Sequence, residues 1–486
     1  MKYILGIDQS TQGTKALLFD SSGKLLCRTD KSHRQIVNDR GWVEHDPEEI
    51  YANTLQVVKD LVAKSGIDKN ALAALGISNQ RETSVCWEKS TGKALYNAIV
   101  WQCSRAAELC EKLESYSGLV HDKTGIKLSP YFPAAKLAWI FQNVAGVSER
   151  AKKNEIAVGT IDSWLVYKLT HGENFRTDYS NASRTQLFNI HELDWDNELI
   201  KIFGLERNCL AEITDSDGNF GETDFEGYLE KKIPICGVLG DSHGALFGQG
   251  CLSSGMVKAT YGTGSSVMMN IGEKPVLNQN IVTSLAWKIS GKVNYVLEGN
   301  INYTGAVITW LKDDLKLIAN PAETESFARL ARKSDRTYLV PAFSGLGAPY
   351  WDSHASACIV GMTRATGKNE VVRAALDCIA YQIADIIFEM KNSAGIAINE
   401  LRVDGGPTRN AYLMQFQSDV LNIPVKIPDS EELSGIGAAY CAGISAGVFD
   451  AKVFENLKRV SYNPNMPESE REELYSGWKD AVKKSR

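Results

Sequence analysis

Two turns rich in threonine and glycine hold the residues best suited to handle a phosphate. The first is Asp8-Gln9-Ser10-Thr11-Gln12-Gly13-Thr14-Lys15 and the second is Thr260-Tyr261-Gly262-Thr263-Gly264-Ser265-Ser266. Glycine lets the backbone bend close to a ligand, while hydroxyls and free N–H groups point into such a turn as anion donors. An acid accompanies each, Asp8 in the first turn and Asp241 ahead of the second. Taken alone, either turn reads more readily as an ordinary hairpin, and Asp241 as a helix cap. Two such turns with two acids in one chain move the balance toward nucleotide binding.

The elements that must position these turns repeat. Residues 3–7 and 16–19 flank the first turn, residues 256–259 and 267–269 the second, and both sets read as strand, tight turn, strand. Residues 3–30 predict a three-stranded meander. A helix follows, with Asp46 to cap it, Pro47 in its first turn, Glu48 and Glu49 at its positive end and Gly66 to stop it. A strand is predicted over 72–78, an apolar run at 98–101, helices over 105–113 and 161–169, and a strand over 235–239 leading to Asp241. After Cys251 the plan restarts, with the second hairpin, strands near 293–297, helices over 301–311 and 370–391, a strand-turn unit at 401–407 and a helix over 412–421. Meander-then-helices, twice, predicts an internally duplicated α/β chain divided near residue 250, into 1–250 and 251–486.

Length and composition agree with two domains. The 486 residues exceed what one core usually supports, and 44% hydrophobic content suffices for ordinary cores. A net charge of −6 with scattered lysines and arginines argues against nucleic acid as a partner. The 10 cysteines form no Cys-x-x-Cys pair and lie at no zinc-ligand spacing. Reduced, mostly buried thiols in a cytoplasmic protein are expected, with no signal-peptide core and no membrane-spanning run. No Gly-Lys pair completes a P-loop. Gly435-Ile436-Gly437-Ala438-Ala439-Tyr440 lacks the third small residue of a dinucleotide fingerprint and reads as helix packing.

Longer patterns carry a resemblance to the FGGY family of carbohydrate kinases. The run Tyr131-Phe132-Pro133-Ala134-Ala135-Lys136-Leu137-Ala138-Trp139 is similar to one family signature. The segment from Ala357-Cys358-Ile359-Val360-Gly361 through Glu370 to Asp377 is similar to the second. Gly41-Trp42-Val43-Glu44-His45-Asp46-Pro47, Asn79-Gln80-Arg81-Glu82-Thr83, Asn181-Ala182-Ser183-Arg184-Thr185 and Gly345-Leu346-Gly347-Ala348-Pro349 resemble its glycerol-phosphorylating branch in particular. The resemblance implies two actin-like ATPase (ribonuclease H-like) domains around a deep cleft. It implies transfer of the γ-phosphoryl of ATP, with Mg²⁺, to a terminal hydroxyl of glycerol or a related larger polyol or ketose. A pentulose kinase of the same family and a non-kinase actin-like ATPase stand as alternatives. A homodimer or homotetramer is compatible with it.

An alcohol is a poor nucleophile at neutral pH, so such transfer calls for a carboxylate, a magnesium ion and strict alignment. The resemblance makes Asp241 the catalytic base and, with Asp8, a metal-organising acid. It assigns the phosphates to Thr11, Gln12, Gly13 and Lys15 on one wall and to Gly262 and Thr263 on the other, with Gly305, Thr309, Gly406 and Asn410 around the nucleoside. Arg81, Glu82, Trp101 and Tyr131 would grip the acceptor, with Ser242 and Ser266 beside them. Adjacent residues on a strand point oppositely, so Arg81 and Glu82 both reach one ligand only if the backbone bends there. Trp101 could equally be core packing, and His243 could support Asp241 from behind, though by default it reads as an ordinary capped histidine. Ser242 and Ser266 depart from the glutamine and phenylalanine of the glycerol-phosphorylating branch. Both changes shrink a wall and predict a larger, more polar acceptor pocket.

Overall fold

The computed structural model describes residues 2–486. Strands Tyr3–Gln9, Gly13–Phe19 and Leu25–Ser32 form the expected antiparallel meander, with Asp8 opposite Lys15 across the first turn. Strand Leu72–Asn79 adds parallel to the first, Ile233–Gly240 adds parallel to it, and Glu222–Thr223 closes a six-stranded sheet. Ile4, Leu5 and Ile7 are all buried. A strand covered on both faces reads as a continuous apolar run, which is why this one showed no alternation.

The second half repeats the plan. Strands Val257–Tyr261, Ser265–Gly272 and Lys292–Ile301 make an antiparallel meander, and Leu401–Asp404 then Val425–Pro428 extend it in parallel. Val282–Ile289 and Arg459–Tyr462 complete seven strands. Among the described residues, no sheet mixes strands from before and after residue 250.

Helix ends follow local chemistry. The Asp46 side chain accepts the Glu48 N–H, and Gly66 ends helix Pro47–Ser65 at φ 67°. The helix expected over 301–311 occupies Gly305–Asp313, because Ile301 still belongs to the preceding strand. The long helix runs Lys368–Ala394, started when the Glu370 carboxylate accepts the Gly367 N–H at 2.9 Å.

Helix Leu433–Ser445 contains the Gly435-Ile436-Gly437 run and packs onto the sheet of the first half, although it comes late in the chain. A Cβ on Gly437 would sit 1.9 Å from the Gly244 carbonyl oxygen. Only glycine lets these two backbones touch. The resulting core joins Ile4, Leu17 and Phe19 to Leu433, Ile436 and Ala439, so the chain crosses back and ties its ends together.

One sheet was not foreseen. Ile36–Val37, Val43–His45, Ala98–Ile99, Ser84–Glu88 and Ile156–Thr160 form a five-stranded unit, of which the sequence showed only the apolar run at 98–101. Residues 80–83 cross from the central sheet to this one, which places Arg81 and Glu82 at a junction. No helix among the described residues is long and apolar enough to cross a membrane.

Candidate active site

Asp241 follows directly on strand Ile233–Gly240 and is the first residue of helix Asp241–Gly248. Gly240 occupies the cap position, so Asp241 is not the cap. Its Oδ1 accepts the neighbouring Ser242 N–H at 2.6 Å, and the side chain keeps 33% exposure. The Arg81 Nε lies 3.2 Å from the same oxygen. A Cβ on Gly240 would come within 2.7 Å of Arg81 Cγ and 3.1 Å of His243 Nδ1, so the missing side chain leaves Arg81 room to lie beside Asp241.

The bend required at Arg81-Glu82 is present. Strand Leu72–Asn79 ends two residues earlier, and Glu82 takes φ 59°, a left-handed conformation costing a non-glycine residue roughly 1–3 kcal/mol. Both side chains reach one buried cluster. Arg81 donates from both terminal nitrogens to Glu298, at 2.8 Å each. Arg184 donates to Glu82 at 2.6 Å and lies 3.0 Å from Glu298. Glu298 belongs to strand Lys292–Ile301, so a carboxylate of the second half grips two guanidiniums of the first. Burial pushes the Glu298 carboxyl up, but Arg184 and Arg81 outweigh it and hold it well below the usual carboxylate range. Burial likewise opposes the charge on Arg81, and Glu298 with Glu82 more than restores it. Such fully desolvated pairs hold only if every partner stays.

An aromatic wall stands beside this cluster. Trp101 and Tyr131 place their ring centroids 5.5 Å apart, and the Trp101 indole N–H donates to Thr11 Oγ1 at 2.9 Å. Half-buried Trp101 therefore links Tyr131 to the first turn, which plain core packing would not do. From the opposite side the Ser266 hydroxyl donates to Glu298 at 3.3 Å. His243 is fully buried. Desolvation first, then the nearby Arg81 charge, keep it neutral. Neither ring nitrogen has a protein partner, so it is not a capped histidine.

At the first turn Asp8 is buried and accepts from Ser78 at 3.0 Å. Burial raises its carboxyl to about 6; Lys15 counters this, and the negative charge of Asp241 adds to it. Two mutually repelling carboxylates suit a hard cation that takes one or two of them and completes its shell with water and phosphate, as Mg²⁺ does. Lys15 Nζ lies 2.7 Å from Glu432 and 3.9 Å from Asp8, held from the far end of the chain. Glu432 also accepts from Arg28.

The second turn opens on a cavity of about 620 Å³ lined by Gly262, Thr263, Gly305, Thr309, Gly406 and Asn410, with Tyr261, Ile308, Leu376, Ile379 and Leu413 as its apolar walls. That size and balance suit one nucleoside. The helix at Gly305 packs against the turn itself, donating Gly305 and Ala306 N–H groups to the Gly262 and Thr263 carbonyls. Asn410 caps helix Ala411–Leu421 through Leu413 N and donates to Thr324. Every expected nucleoside residue thus lies on one cavity. Every expected acceptor residue except Ser242 is joined to the Arg81–Glu298–Arg184 cluster or the Trp101–Tyr131 wall; half-buried Ser242 meets them only through Asp241. Glu298, Arg184 and Lys136 were missed. An acid ending the apolar run Tyr295-Val296-Leu297 and a lone lysine in an apolar helix were the available signals.

Family models match both halves: residues 3–248 match the FGGY family of carbohydrate kinases, N-terminal domain, and 257–446 its C-terminal domain. The chain belongs to the FGGY family of carbohydrate kinases. As such it is an alcohol phosphotransferase. Among similar proteins, glycerol kinase 1 of Thermotoga maritima is 51% identical, covering 99% of both chains. The glycerol kinase of Fusobacterium nucleatum is 46% identical over 100% of this chain and 99% of its own. The crystal structure of Plasmodium falciparum glycerol kinase with ADP superposes at TM-score 0.95 with 35% identity, covering 100% and 98%. Ligand-bound xylulose kinase of Lactobacillus acidophilus, at TM-score 0.89 and 23% identity over 100% and 99%, shares the fold. This FGGY kinase is therefore built of two actin-like α/β domains.

Proposed function

We propose that this kinase transfers the γ-phosphoryl of ATP to a terminal hydroxyl of glycerol. The observation that carries the reading is Asp241: a partly exposed carboxylate at a helix start, 3.2 Å from Arg81, which itself anchors the Arg81–Glu298–Arg184 cluster. The lobes divide near residue 250. Residues 1–250 carry the acceptor site and first phosphate turn, and 251–486 the nucleoside cavity. The nearby relatives named glycerol kinase support the acceptor, and a cytoplasmic location goes with that reading.

Arg81 and Glu82 offer one charged donor and one charged acceptor to neighbouring hydroxyls, while Trp101 covers the carbon chain. Asp241 accepts the proton of the attacking hydroxyl as its oxygen bonds to the γ-phosphorus, and the bond from that phosphorus to the β,γ-bridging oxygen breaks to release ADP. Thr11, Gln12, Gly13 and Lys15 hold the phosphates from one side, Gly262 and Thr263 from the other, and Gly305, Thr309, Gly406 and Asn410 frame the nucleoside. Asp8 and Asp241 would hold Mg²⁺, which neutralises charge on the phosphates.

A second acceptor class is favoured by one feature. Ser266 presents a small hydroxyl where it meets Glu298, and Ser242 is small as well, which leaves room for a four- to six-carbon polyol or ketose. A coupled ATP assay over glycerol, erythritol, pentitols, ribulose and xylulose tests both. Glycerol as best acceptor supports the first reading; a longer acceptor preferred, and that preference lost in Ser266→Phe, supports the second. Turnover unaffected by every acceptor contradicts both.

A further inference from the structure

Lys136 is the fourth residue of helix Pro133–Asn143 and is completely buried. Nothing about the helix favours it there. A cation near the positive end of a helix opposes the backbone dipole, and its neighbours Ala134, Ala135, Leu137 and Ala138 are all apolar and buried. No carboxylate lies within ion-pair distance of it among the described residues. Its only hydrogen bonds go to two backbone carbonyls, of Tyr131 and, at 3.4 Å, of Glu82. Its ammonium also lies 5.9 Å from the centre of the Tyr131 ring.

Those two carbonyls belong to two of the residues proposed above to grip the acceptor. Glu82 sits in the left-handed bend that turns it toward the cluster, and Tyr131 carries the ring tilted against Trp101. We propose that Lys136 is a positioning residue for the acceptor: one ammonium ties the Glu82 bend to the Tyr131 backbone and fixes the gap the polyol must fill. The inference rests on the acceptor site proposed above. A desolvated lysine without an acid partner costs folding energy, and burial pushes this one down to about 7, with Glu82, Cys103 and Cys110 opposing the shift and Arg105 reinforcing it. A group retained at a cost to stability belongs to function.

Lys136→Met keeps the volume and removes both hydrogen bonds. The expected result is an acceptor KM raised roughly ten- to a hundredfold, the scale of lost charge-assisted hydrogen bonds, with nucleotide KM unchanged and Tm equal or higher. Lys136→Gln, which keeps a single amide donor, should fall between. An acceptor KM like that of the wild type would overturn the proposal. So would both KM values rising together as Tm falls, or loss of folded protein in both variants, since either makes Lys136 a folding residue. The underlying site reading fails separately, if Arg81→Met leaves acceptor KM unchanged.

Discussion

The two ends of the proposed site, acceptor and donor, would solve different problems with different materials. The acceptor end is a closed ion network: Arg81, Glu82, Arg184 and Glu298 are each at most 6% exposed, and every charge leans on another. The donor end is a cavity of about 620 Å³ walled by glycines and aliphatic side chains, where shape and backbone do the recognising. An alcohol offers little besides hydroxyl geometry, so it needs fixed charges. A nucleoside offers a flat apolar face, so it needs room. The difference teaches that acceptor-end substitutions should be costly and selective, and donor-end ones mild.

Of the substitutions that probe this contrast, Arg81→Met should have the largest effect. It leaves Glu298 short of a partner and removes a hydroxyl donor, so kcat/KM for the acceptor should fall by at least about a hundredfold, consistent with truncating a buried charge pair. Steady-state kinetics check this; a drop under about fivefold would break the contrast between the ends. Glu298→Gln comes next. It replaces the carboxylate that two guanidiniums share with a neutral amide, leaving Arg184 with Glu82 and Arg81 chiefly with Asp241, and stability should fall by about 3 kcal/mol, read from denaturant unfolding.

Smaller still is a pH effect on Lys136. The folded ammonium is pushed down to about 7, while an unfolded lysine titrates near 10.4, so between these values the unfolded chain binds more protons. Stability of the wild type relative to Lys136→Met should therefore rise from pH 7 toward pH 10 and stay flat below 7. Unfolding both proteins at pH 6.5 and pH 9 measures it, and an identical difference at the two pH values would mean the lysine is not desolvated. Smallest is Asn410→Ala at the donor end. Loss of the cap costs about 1 kcal/mol of stability, and nucleotide KM should move by no more than about threefold.

Much of this frame was legible because its signals are local. Asp46, Pro47 and Gly66 announce a helix by themselves, and glycine between two β-prone runs announces each hairpin. The five-stranded sheet was not legible, since strands of two to five residues such as Ile36–Val37 carry no periodicity. The acceptor network was half legible. Arg81 and Glu82 stood out as adjacent opposite charges, but Glu298, the partner of Arg81, lies 217 positions away, and only the folded sheets bring them together. His243 showed the limit of residue-type reasoning: the default was an ordinary capped histidine, and the fold buries it with no partner for its ring nitrogens among the described residues. Lys136 lies within a family signature, yet helix periodicity cannot tell a buried lysine from a surface one.

The account turns on Asp241 receiving the proton of the acceptor hydroxyl. Single-turnover phosphorylation of glycerol by Asp241→Asn, with nucleotide binding measured in parallel, tests this most directly. The account predicts nucleotide affinity close to wild type and transfer slowed by roughly 10²–10⁴-fold, the usual worth of a general base. Transfer at the wild-type rate would contradict it.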